Sequence, residues 1–262
     1  MVVGSDDMSG FFAYESPYRT QNFIDLTVWE YTLPFVVLIG LVYLLYRYQH
    51  VFRDNQTFER RFRMITGGVF AALYISHYAL RYALYGWDTI LLPFQLCSIS
   101  MFLALVLIYT KNKTIYTFVL FAGVLGGIVS LFTPIIGYDS GYYRYYQFYG
   151  AHLLLILTPI YFLLVHDFYP TAKTAVRAFV LLQGLALFMG VFNYVYGTDF
   201  MFLFVDSAKE AKFPMITRFG GAPYYIIWME LVAHVAWYLL YKLTTILQRG
   251  RAAVADLQYK NA

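Results

Sequence analysis

Seven stretches of this chain are each apolar enough, and long enough, to cross a lipid bilayer. No other property limits its fold as tightly. They cover residues 30–46, 64–85, 90–109, 114–134, 148–165, 175–196 and 222–243. A bilayer core asks for about 20 mostly apolar residues per helix. In lipid, every backbone N–H and C=O must be satisfied within the protein, so spans of this kind fold as helices. The composition agrees: 60% of residues are hydrophobic and 13% are charged, against about 45–50% and about 25% in soluble domains. The predicted fold is all-α, a polytopic bundle of seven transmembrane helices. No charge-rich stretch reaches the ~50 residues that an independent domain needs.

Lys and Arg set the expected orientation. With the N-terminus outside, thirteen of the nineteen fall on the cytoplasmic side, five fall outside, and Arg81 lies within a span. That bias predicts N-out and C-in. The expected organisation is an extracytoplasmic segment over residues 1–28, a seven-helix domain over 29–247 and a cytoplasmic tail over 248–262. The first 26 residues are polar, with Asp6, Asp7, Glu15 and Asp25. They lack the basic and then apolar pattern of a signal peptide. Topology accounts for most of the net charge of +4, so no basic face is left to suggest nucleic-acid binding. A cell membrane, crossed several times, is the expected location. The run "GYYRYYQFYG" (141–150) falls at the outer interface, where aromatic rings anchor helices or meet headgroups.

Polar residues inside spans are costly and mark functional sites by default. Counted at about 1.5 Å per residue, those of this chain share one depth in the outer half of the bilayer. They are His77 and Arg81 in the second span, Gln95 and Cys97 in the third, His152 in the fifth, Asn193 in the sixth, and Glu230 and His234 in the seventh. This layer predicts a cavity between helices. His77/Arg81 and Glu230/His234 are each spaced i,i+4 and share a helix face. Gln95 and Cys97 lie about 200° apart around their helix and point to different neighbours.

The single cysteine sits in "LPFQLCSIS" (92–100). One Cys excludes an internal disulfide and any zinc site with two thiolates. Free Cys often serves as a small buried hydrophobe. Paired with a histidine, it becomes a nucleophile for acyl transfer. Pro93 suits a first helical turn, which would place Cys97 just past that turn, where the helix dipole has faded and His152 must do the activating. Asn193, Gln95 or Arg81 would then stabilise the oxyanion, and Glu230 would orient an imidazole. The same residues also permit plainer roles: His152 and Asn193 as interhelical hydrogen-bonding groups, and Glu230 with His234 as a structural pair. Two other functions fit the layer. His77, His152 and His234 with a carboxylate would suit a zinc lipid hydrolase, or two of the histidines a haem. A polar midmembrane cavity would suit a small-molecule binding or transport protein.

Five segments together resemble the YwaF family of bacterial membrane proteins, relatives of transmembrane protein 164. They are "LPFQLCSIS", "TKNKTIYTFVLFAGVLGGIVSLFTP" (110–134), "YQFYGAHLLLI" (146–156), "FYPTAKTAVRAF" (168–179) and "FNYVYGTDFMFL" (192–203). The resemblance implies a lysophospholipid acyltransferase with a Cys nucleophile and a His partner, at Cys97 and His152, and no cofactor. Gln95 stands where many members have His, and a His early in the first span is missing. An outer-leaflet site is badly placed for acyl-CoA, a charged cytoplasmic carrier. The expected activity is therefore a transacylase whose partners are membrane phospholipid and lysophospholipid.

Overall fold

The computed structural model describes residues 10–12, 26–134, 136–203, 220–221 and 224–260. The acidic N-terminal residues, Arg19, Lys209, Lys212, Arg218 and the expected start of the seventh span at Ala222 lie outside the described residues. Seven long helices make up the described chain: α1 (Val28–Asp54), α2 (Gln56–Tyr85), α3 (Leu96–Thr110), α4 (Lys113–Phe132), α5 (Tyr143–Val165), α6 (Ala172–Tyr196) and α7 (Tyr225–Lys260). Five of them, α1 and α4 to α7, are long and apolar enough to cross a membrane. α3 is apolar but has 15 residues, and α2 has 30 but carries more polar and charged side chains. The chain is an all-helical, multi-pass membrane protein.

α5 is the axis of the bundle. α1, α2, α3 and the second half of α4 all pack against it. Within its apolar stretch 72% is buried, against 6% for α1 and for α7. Leu155, Ile156 and Phe162 of α5 meet Phe70 of α2, Leu107 of α3 and Phe121 of α4 in the core. Phe121 lies in a π-helical turn, Val119–Gly123, that interrupts α4, and its ring stacks on Trp237 of α7 at 4.6 Å.

Several helix limits differ from those read in the sequence. The polar stretch 47–63 is no loop: α1 runs on to Asp54, and α2 begins at Gln56. Its residues include no Pro or Gly, and Asn55 alone turns the chain, its side chain accepting from the Phe58 N–H at 2.9 Å. α3 starts six residues later than expected. Pro93 precedes it, because the residue before a proline is pushed out of helical geometry, and Thr89–Leu91 forms a separate 3-10 turn. α5 starts earlier, at Tyr143. Most of the tyrosine-rich run is thereby helical, with Tyr145 and Tyr149 buried and Tyr146 exposed. α7 continues to Lys260, so residues 248–260 extend that helix.

One end of the bundle is closed by two carboxylates, Glu59, which is buried, and Asp167, which is exposed. Glu59 of α2 accepts hydrogen bonds from Arg63 Nε at 2.7 Å, Tyr161 Oη at 2.8 Å and His166 Nε2 at 3.0 Å, and Lys111 Nζ stands 3.5 Å away. Arg63 also donates to the Ile108 carbonyl near the end of α3. Asp167, the next residue after His166, pairs with Arg53 of α1 at 2.7 Å and Arg251 of α7 at 2.6 Å. Burial opposes charge on Glu59, but the hydrogen bonds of Tyr161 and Arg63 and the charges of Arg63 and Lys111 outweigh it and hold the carboxyl below its ordinary range. Burial and the Lys111 charge press His166 below its ordinary value, against the hydrogen bond to Glu59.

At the opposite end, Thr27 and Glu30 cap α1 reciprocally. Glu30 Oε1 also accepts from the Ser140 N–H at 2.8 Å, which pins the loop before α5.

Candidate functional site

The start of α3 decides where Cys97 stands. Gln95 is its N-cap and Leu96 its first helical residue, so Cys97 is the second. This corrects the expectation of a site beyond the first turn. The N–H groups of Leu96, Cys97 and Ser98 have no carbonyl within the helix to bond, and the first intrahelical bond is Ile99 N–H to the Gln95 carbonyl at 3.0 Å. The positive end of the helix dipole lies here and favours negative charge within this turn.

The thiol is tied to α4. Ser130 Oγ donates to the Gly126 carbonyl at 2.9 Å and so accepts from Cys97 Sγ at 3.3 Å. A Cβ added at Gly126 would stand 3.4 Å from that sulfur. The adjacent Gly127 meets α5 instead: a Cβ there would fall 2.7 Å from Ile156 and 3.6 Å from the His152 carbonyl. The Gly126–Gly127 step therefore lies between the Cys97 side chain and the backbone of His152.

His152 is buried in α5. Its Nδ1–H donates to the Phe148 carbonyl one turn back, at 2.7 Å. That bond fixes the tautomer and leaves Nε2 as the acceptor nitrogen. Among the described residues the thiol bonds to Ser130, and the imidazole to Phe148. His77 of α2 lies within electrostatic reach of His152, Arg144 and Arg81. Arg144 leans over the Phe148 ring at 5.5 Å and donates to Gln147. Gln147 in turn donates to the Leu73 carbonyl at 2.9 Å.

The other predicted residues sit elsewhere. Asn193 is fully used near the end of α6: its amide donates to the Phe200 and Leu203 carbonyls at 2.8 and 3.0 Å, and its oxygen accepts from Thr198 and the Phe200 N–H. It staples residues 198–203 and keeps no donor for a developing charge. Gln95 joins the same segment by accepting from the Met201 N–H at 2.9 Å. Glu230 accepts from Gln183 of α6 at 2.9 Å. His234 turns back on the Glu230 carbonyl at 2.7 Å and packs against Phe179. The polar layer is thus divided into a His77–Arg81–Arg144–His152 group, the Cys97–Ser130 pair, a Gln95–Asn193 staple and a Gln183–Glu230–His234 group. Among the described residues, no three His, Cys, Asp or Glu side chains are grouped so as to hold a metal ion.

Sequence reasoning missed Ser130, Gln183 and Arg144. The adjacent glycines in "VLGGIVSLF" were the available signal for Ser130, since close helix approach in membranes relies on small residues. A family model described as the TMEM164 family matches residues 22–241. No curated protein and no solved structure matches the chain. The family match spans most of the sequence, and the chain belongs to the TMEM164 family.

Proposed function

From that membership and the surroundings of Cys97, we propose that the protein is a membrane-embedded lipid acyltransferase. It moves an acyl chain from a diacyl phospholipid to a lysophospholipid through a thioester on Cys97, with His152 as base. All seven helices cross the bilayer in this reading, with the N-terminus outside and the Glu59 end cytoplasmic. The observation that carries it is the place of Cys97 in the first turn of α3. A thiolate forming there meets backbone N–H groups that have no partner within the helix, and the positive end of the helix.

The reaction runs in two halves. Cys97 rotates from Ser130 and gives its proton to Nε2 of His152. The sulfur attacks the ester carbonyl carbon, and the oxyanion forms against the N–H groups of Leu96, Cys97 and Ser98, the kind of preorganised donor that stabilises such intermediates. The C–O bond breaks, and His152 returns the proton to the departing lysophospholipid oxygen. A second lysophospholipid hydroxyl then gives its proton to His152 and attacks the thioester. The C–S bond breaks, and the thiol takes back the proton. Asn193 has no part in this scheme. Gln95 positions the 200–203 segment beside the entrance of α3.

The test is a transfer assay with purified protein, diacyl phospholipid and labelled lysophospholipid, without acyl-CoA. Labelled diacyl product is expected, and none from Cys97→Ala. Full turnover with acyl-CoA as sole donor and none with phospholipid would contradict the donor assignment.

A further inference from the structure

We propose that a groove on α2, lined by Gln56, Thr57, Arg60, Arg61, Met64 and Ile65, binds the headgroup of an anionic phospholipid. The site is separate from the Cys97 region: at 1.5 Å per residue, Arg61 lies about 25 Å along α2 from His77.

The groove is basic. At this end of the bundle, Arg53 and Arg251 pair with Asp167, and Arg63 and Lys111 pair with Glu59. Arg60 and Arg61 have no ion pair among the described residues, and both are exposed. Arginine guanidiniums suit a phosphodiester, whose oxygens accept paired N–H bonds. The Gln56 amide and Thr57 hydroxyl lie one turn away and add neutral donors. The groove holds about 620 Å³.

The apolar part gives the lipid its second half. Ile65 (68% exposed) lies one turn on from Arg61 along the same i,i+4 row of α2, and Val69 (52%) one turn beyond it. A phosphate at Arg60 and Arg61 leaves an acyl chain lying along that stripe. Basic side chains at a membrane surface attract anionic lipid. A zwitterionic headgroup brings an ammonium towards two guanidiniums and is disfavoured, and a free phosphate has no chain for the stripe.

The test is lipid binding to full-length protein in neutral detergent, read by native mass spectrometry. Dioleoyl-phosphatidylglycerol and dioleoyl-phosphatidylcholine are titrated separately, and inorganic phosphate serves as competitor. Phosphatidylglycerol should bind more tightly. Arg60→Gln and Arg61→Gln should each weaken it about fivefold, and Arg47→Gln, at an exposed arginine outside the groove, should leave it unchanged. In the unmodified protein, the preference for phosphatidylglycerol should shrink as salt is raised. Equal binding of the two lipids, unchanged binding by the variants or a preference indifferent to salt would overturn the proposal. Displacement of the lipid by inorganic phosphate at equal concentration would reassign the groove to a free anion and overturn it as well.

Discussion

At the Glu59 end of the bundle, four donors from α2, α5 and the chain beyond α3 and α5 converge on one buried carboxylate. At the Cys97 end, the polar side chains are divided among separate groups, and a thiol sits in the first turn of a helix. The first arrangement satisfies a buried charge by surrounding it with partners, as membrane interiors demand. Among the described residues, the second leaves the acceptor nitrogen of His152 and the N–H groups of the first turn of α3 uncommitted. Saturated polarity holds helices together, and unsaturated polarity is available for chemistry.

The sharpest way to break this comparison is to remove the thiol. Cys97→Ala should cut acyl transfer at least about a thousandfold and leave the melting temperature nearly unchanged, because Ser130 keeps its bond to Gly126. The transfer assay and a thermal melt on the same preparation check both halves. His152→Ala should cost about a hundredfold or more in rate, the usual weight of a general base. A rate loss under threefold would remove His152 from the reaction.

At the other end the signs reverse. Glu59→Ala leaves Arg63 buried without its carboxylate and should destabilise the fold by about 3 kcal/mol, with activity per folded molecule retained. Denaturant titration followed by assay at equal folded fraction measures this. Acid should act at the same place. Both Glu59 and His166 titrate below their ordinary values when folded. The unfolded chain then binds more protons, so stability rises with pH. It should fall as the pH drops below about 6.5, where the unfolded histidine gains its proton. It should fall further through the acidic range as Glu59 protonates. A melting temperature flat from pH 7 to 4 would show that neither group is coupled to folding.

Ser130→Ala should have the smallest effect, a rate change under about tenfold, because it removes the resting partner of the thiol and a single hydrogen bond. A loss as large as that of Cys97→Ala would make Ser130 part of the chemistry.

The apolar periodicity made the helices legible, and each of the seven expected spans overlaps a described helix across most of its length. The errors fall where local chemistry overrides hydropathy. A polar stretch without breakers, residues 47–63, stays helical because Asn55 alone is enough to turn the chain. Pro93 delays α3, and that delay moves Cys97 into the first turn, which hydropathy cannot register. The recurrence of polar residues along the bundle, at His77 of α2, Cys97 of α3 and His152 of α5, was legible. Their division into groups was not, because it depends on which face of each helix meets which neighbour. Glu59 and Asp167 were missed for the opposite reason: in a count of basic residues for orientation, the carboxylates that neutralise them go unseen.

The central claim is that Cys97 carries the acyl chain. Intact-protein mass spectrometry after incubation with a diacyl phospholipid tests it most directly. The account predicts a mass increase of one acyl group on the unmodified protein, released by neutral hydroxylamine as a thioester should be and missing from Cys97→Ala. An adduct that persists in Cys97→Ala, or labelled transfer product formed at full rate by that variant, would contradict it.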